Sequence, residues 1–80
     1  MSTKRKLKKA IEEREIEIRT YERKRERSQT ALIRALLAGT KPSKEDEQYF
    51  NVFSDLIDET RKEIRKLNDE LDKISKGETK

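Results

Sequence analysis

Mostly apolar positions, interrupted by Arg14, Arg25, Ser28 and Thr60, recur in this chain at alternating steps of three and four, in two runs separated by a single break. The first run uses positions 7, 11, 14, 18, 21, 25, 28, 32 and 35; the second uses 50, 53, 57, 60, 64, 67, 71 and 74. A 3.5-residue period is the seam of a left-handed coiled coil, in which one stripe of each helix faces a partner. Strands, which alternate every two residues, cannot use this spacing. The pattern therefore selects long helices that meet side by side.

The break is Gly39-Thr40-Lys41-Pro42-Ser43. Gly39 accepts the left-handed conformation that closes a helix. Pro42 cannot continue one, and it pushes Lys41 towards extended angles. Ser43 reads as an N-cap, and Ser43-Lys44-Glu45-Asp46 resembles a capping box with Asp in place of Glu. Glu45, Asp46 and Glu47 then fill the first turn, where the helix dipole favours negative charge. No Gly or Pro interrupts residues 3–38 or 44–75. The expected fold is all-α: one domain over 1–80, an antiparallel two-helix hairpin with helices over about 3–38 and 44–75, a turn at 39–43 and a frayed tail at 76–80. A single bent helix, or a parallel dimer of extended chains, would have to ignore the Gly-to-Ser break.

Residues facing each other in a hairpin have a constant sum of numbers. A sum of 85 pairs Ala35 with Phe50, Leu32 with Phe53, Ser28 with Ile57, Arg25 with Thr60, Tyr21 with Ile64, Ile18 with Leu67, Arg14 with Leu71 and Ile11 with Ile74. It also sets Lys24 beside Glu63 and Glu22 beside Arg61, pairs of opposite charge, with Glu17 beside Glu70 as a like-charge exception. Arg25, Ser28 and Thr60 then form a candidate polar layer in the seam, with Glu22 and Glu63 near Arg25. Such a layer fixes register at some cost in stability, or simply lets Arg25 lay its methylenes across a half-buried stripe.

The chain is short and sparingly apolar: 80 residues, 30% hydrophobic and 48% charged. With no Cys and no His, it has no disulfide, thiolate or imidazole chemistry to offer. Two helices do not readily enclose a pocket, so no enzyme, cofactor or metal site is expected. No stretch approaches the ~20 apolar residues of a membrane span. The basic start Lys4-Arg5-Lys6-Leu7-Lys8-Lys9 is followed by Glu12, Glu13 and Glu15 rather than by the apolar core of a signal peptide. The expected compartment is the cytoplasm, with the nucleus as the alternative.

Apolar residues outside the seam gather near the turn. Ile33, Leu36 and Leu37 belong to the first helix; Tyr49, Val52 and Leu56 belong to the second. Contiguous exposed apolar surface marks an interaction site, and a two-helix core alone leaves a small fold near zero net stability. The expected partner is a second copy, two hairpins making a four-helix bundle, with a different protein at the turn end as the competing occupant.

Charge divides unevenly. Residues 1–40 carry 12 Lys/Arg against 6 Asp/Glu, a net +6, whereas residues 41–80 carry 9 against 11, a net −2. Lys4, Arg5, Lys6, Lys8 and Lys9 form one basic cluster, and Arg19, Arg23 and Arg27 a ridge at i, i+4, i+8. These are the candidate nucleic-acid contacts of an alternative reading, a largely non-specific accessory protein. Interleaved glutamates and the lack of aromatic residues on that ridge favour a solvated face instead.

The turn Gly39-Thr40-Lys41-Pro42, followed by Glu45, is similar to that of the small subunit of exonuclease VII. Pro42-Ser43 resembles the turn of type III secretion needle subunits. Both families are helical hairpins of this size, and the likeness, confined to the turn, implies nothing beyond that shape.

Overall fold

The computed structural model describes residues 3–78. It contains two helices, α1 (Thr3–Ala38) and α2 (Lys44–Glu78), and no strand among the described residues. They lie antiparallel as a rod of 61 × 19 × 15 Å.

The turn is built from the residues that announce it. Gly39 adopts φ +68°, and its N–H donates to Leu36 O (3.2 Å) while Thr40 N–H donates to Ala35 O (2.9 Å). These two bonds form the Schellman closure that needs a left-handed residue after the helix. Ser43 starts α2. Its carbonyl accepts from Glu47 N–H at 3.1 Å, and its Oγ accepts from Asp46 N–H at 3.1 Å. The same hydroxyl donates to Asp46 Oδ2 at 2.8 Å, so the short Asp side chain engages the cap through the hydroxyl. At the other end α2 continues through Glu78 rather than stopping near 75. One glycine, Gly77, costs a helix only about 1 kcal/mol and does not end it. Of the tail expected to fray, 79–80 lie outside the described residues.

The register differs from the even facing of helix ends. The side chains that meet are Arg14 with Glu63, Arg25 with Ser54 and with Phe50, Tyr21 with Phe53 and Lys24 with Phe53. Their numbers sum to between 74 and 79, not 85. Thus α2 is set back along α1 by about seven residues, roughly 10 Å at 1.5 Å per residue. The cause is the connection itself. After the Schellman closure, Lys41-Pro42-Ser43 carry the chain back down α1 before α2 begins, since Pro42 disfavours helical angles at Lys41. A shift of one heptad returns seam positions to seam positions, so the 3.5-residue pattern is kept.

Seam residues nonetheless make a thin core. Among the described residues, Leu7, Ile11 and Ile57 are the buried apolar side chains, Ile57 at 1% exposure. Ser28 and Thr60 are also buried. Tyr21, Phe53 and Tyr49 form an aromatic row, with ring centroids 6.0 Å and 4.8 Å apart.

The new register dissolves the expected polar layer. Arg25 turns to Ser54 at 3.1 Å and lies over the Phe50 ring at 5.3 Å. Thr60, six residues beyond Ser54, is about 9 Å further along the rod. Ser28 Oγ donates to the Arg25 carbonyl at 2.9 Å and Thr60 Oγ1 to the Leu56 carbonyl at 2.7 Å. Each buried hydroxyl is satisfied within its own helix, which is how serine and threonine survive in a helix interior. Glu63, expected near Arg25 and Lys24, pairs instead with Arg14 at 3.5 Å, which also reaches Glu17 at 3.4 Å. Arg61, expected beside Glu22, pairs with Asp58 at 3.9 Å in its own helix.

Candidate interaction surface

The set-back leaves the last turns of α1 projecting past the start of α2. Leu36 and Leu37, on that projection, are 79% and 82% exposed, and Ile33 one turn earlier is 50% exposed. On α2, Tyr49 and Val52 are half exposed, while Leu56 is partly covered. Five of the six apolar candidates near the turn therefore face solvent, and Leu56 lies at their edge. Both leucines were legible as lying outside the seam: Leu36 flanks it and Leu37 is on the face turned away from α2.

These residues occupy two flanks of the seam. Heptad positions put Ile33 and Leu36 on one side, and Tyr49, Val52 and Leu56 with Ala31 and Ala38 on the other. The second flank is a continuous surface. One open hollow is lined by Lys24, Arg27 and Ser28 from α1 and by Glu45, Asp46 and Tyr49 from α2. The next shares Glu45 and Tyr49 and extends to Val52 and Phe53. Away from the turn, Ile16 is the lone exposed large apolar residue among those described.

The chain matches no protein-family model, no curated protein and no solved structure. What it does must be read from its own surface.

The basic candidates lie along the outer side of α1. Arg5, Lys6, Lys8, Lys9, Arg19, Arg23 and Arg27 are exposed and Lys4 is half-buried. Among the described residues, Arg19, Arg23 and Arg27 form no ion pair. Glu22 and Glu26 stand beside them, lining the same open hollow as Arg19 and Arg23. No helix among the described residues is long and apolar enough to cross a membrane.

Two guanidinium nitrogens were not legible from spacing. Arg14 Nε and Arg25 Nε are buried without a hydrogen-bond partner. Their seam positions force the stems inward while the terminal nitrogens reach out to Glu63 and Ser54.

Proposed function

We propose that this chain is a non-enzymatic interaction and assembly module that self-associates through the apolar surface at its turn end. The observation that supports this reading is that Ile33, Leu36, Leu37, Tyr49 and Val52, gathered at the turn end, are each at least half exposed, while the described residues bury three apolar side chains. Covering a leucine fully is worth about 1.5–3 kcal/mol. That is large beside the stability a small two-helix core supplies. A hairpin with its apolar surplus on the outside gains more from association than from any rearrangement of its own core.

The test is the mass of the purified protein by sedimentation over a range of concentrations. A species of twice the chain's 9.5 kDa is expected. The double change Leu36→Glu and Val52→Glu, which charges both flanks without touching the buried seam, is expected to give a helical monomer. An unchanged mass in that variant overturns the reading.

A second reading, a largely non-specific nucleic-acid accessory protein, is favoured by one feature: Arg19, Arg23 and Arg27 are exposed at helical spacing with no ion pair among the described residues. Lys/Arg contacts to phosphates release counterions, so binding would weaken steeply with salt. A gel shift insensitive to salt, or unaffected when the three arginines become Gln, removes it.

A further inference from the structure

The turn-proximal half of the hairpin is electrically split between its helices. Residues 19–34 of α1 carry six Lys/Arg and two Glu, a net +4. Residues 44–59 of α2 carry one Lys and six Asp/Glu, a net −5. The far halves are alike: residues 3–18 and 60–77 each carry six basic and four acidic residues, a net +2 apiece.

The same split runs across the flank that bears Tyr49 and Val52. Positions seven apart share a helix face. On α1 this flank carries Arg27 and Arg34 with Ala31 and Ala38. On α2 it carries Glu45, Val52 and Glu59 with Tyr49. Small residues and positive charge lie on one helix; large apolar residues and negative charge lie on the other. The two helices come together here in one hollow, where Lys24 and Arg27 face Glu45, Asp46 and Tyr49. This surface is complementary to itself after a half-turn.

We propose that a second copy docks on this flank with both turns at the same end, so that α1 of each hairpin lies against α2 of the other. The proposal rests on the self-association put forward above and adds the face and the direction. A two-fold axis along the rod makes every contact occur twice. Tyr49 and Val52 of each copy then meet the alanine stripe of the other, and Arg27 and Arg34 meet its acidic helix. All neighbouring helices run antiparallel, as in an up-and-down four-helix bundle. The opposite direction, with turns at opposite ends, lays α1 on α1 and α2 on α2: full overlap sets net +4 against net +2 and forgoes the pairing of +4 with −5, and overlap of the turn halves alone sets net +4 against net +4 and net −5 against net −5. Like charge across an interface rejects that arrangement, as it does a wrong partner. Ile33 and Leu36, on the other flank, stay outside the contact. The far halves, both positive, gain nothing from each other.

Two charge-reversed variants test this. One carries Arg27→Glu and Arg34→Glu; the other carries Glu45→Lys and Glu59→Lys. Helicity by circular dichroism and mass by sedimentation are measured for the wild type, each variant and their equimolar mixture. The wild type is expected to be a dimer. Each variant alone is expected to be helical with dimerisation weakened at least tenfold, and the mixture is expected to dimerise like the wild type. A wild type that stays monomeric overturns self-association itself. A dimeric wild type whose reversed variants also stay dimeric overturns this face and direction while leaving self-association standing.

Should a variant lose helicity, a spin label at Lys73→Cys, an exposed position in a chain without cysteine, decides on otherwise native protein. Turns at one end hold both labels at the same height, so their distance stays within twice the 19 Å width of the rod, whereas turns at opposite ends separate them along its 61 Å length. A distance beyond twice that width overturns the proposal.

Discussion

Arg25 of α1 donates through Nη1 to Ser54 Oγ of α2 at 3.1 Å. This bond between the helices leaves the arginine's own Nε buried without a partner. The guanidinium is thus only partly compensated for the water it has lost. Its place over Phe50, at 5.3 Å, returns about 0.5–1 kcal/mol.

Replacing Arg25 with Leu is therefore expected to stabilise the hairpin. The variant buries apolar surface worth about 1.5–3 kcal/mol and removes an unsatisfied donor. It loses one net hydrogen bond, worth about 1 kcal/mol, and the ring contact. A gain near 1 kcal/mol would raise the thermal midpoint by about 4–8 °C for a chain of this size. Circular dichroism melts at fixed concentration read it directly. A lower midpoint would mean that the arginine is favourable where it stands.

Ile57 and Thr60 are both buried, at 1% and 6% exposure, but they are expected to respond in opposite ways. Ile57→Ala opens a cavity at the best-packed point of the seam and should cost about 2–4 kcal/mol. Thr60→Val removes a hydroxyl bonded only to the Leu56 carbonyl of its own helix. No partner across the seam is stranded, so its effect should stay within about 1 kcal/mol. Denaturant midpoints of the two variants separate the cases.

Gly39→Ala should destabilise by about 1–2 kcal/mol, the cost of a side chain at left-handed angles. An added Cβ would meet nothing within 4 Å, so the cost is conformational rather than steric crowding. Gly39→Asn should fall between the two, since Asn tolerates this region better. If alanine melts with the wild type, the closure is not held by backbone angles.

Ser43→Ala should cost about 1 kcal/mol, because the Asp46 N–H loses its acceptor. Asn and Asp both cap well in general, yet here they should differ. The hydroxyl of Ser43 also donates to the Asp46 carboxylate. Asn can keep that donation, whereas Asp cannot and adds a like charge beside it. Thermal midpoints in the order Ser, Asn, Asp test this, and Asp equal to Asn would contradict it.

The helices and their closure were readable from the chain because each rests on local chemistry: Gly39 for the left-handed residue, Pro42 for the stop, Ser43 with Asp46 for the start. Register was not readable. A seam repeating every seven residues looks the same after a seven-residue slide, and Ser28 and Thr60 impose no choice, since they satisfy themselves within their own helices. What fixes the slide is the path of Lys41, Pro42 and Ser43, a geometry that periodicity does not encode. The apolar positions near the turn were visible as a surplus. Leu36 and Leu37 were part of that surplus, and the slide adds that α2 begins below them.

The step between the helix ends also divides the rod in time. The last turns of α1 have only the connecting residues beside them, and helix segments this short are marginal in water without lateral packing. Their amide ladder can open while the seam around Ile57 stays closed, as local openings do in native proteins. Backbone hydrogens of residues 34–38 should then exchange with solvent far sooner than those flanking Ile57. Whatever settles on Leu36 and Leu37 would be recorded there as slowed exchange, making the tip of α1 a built-in reporter of occupancy.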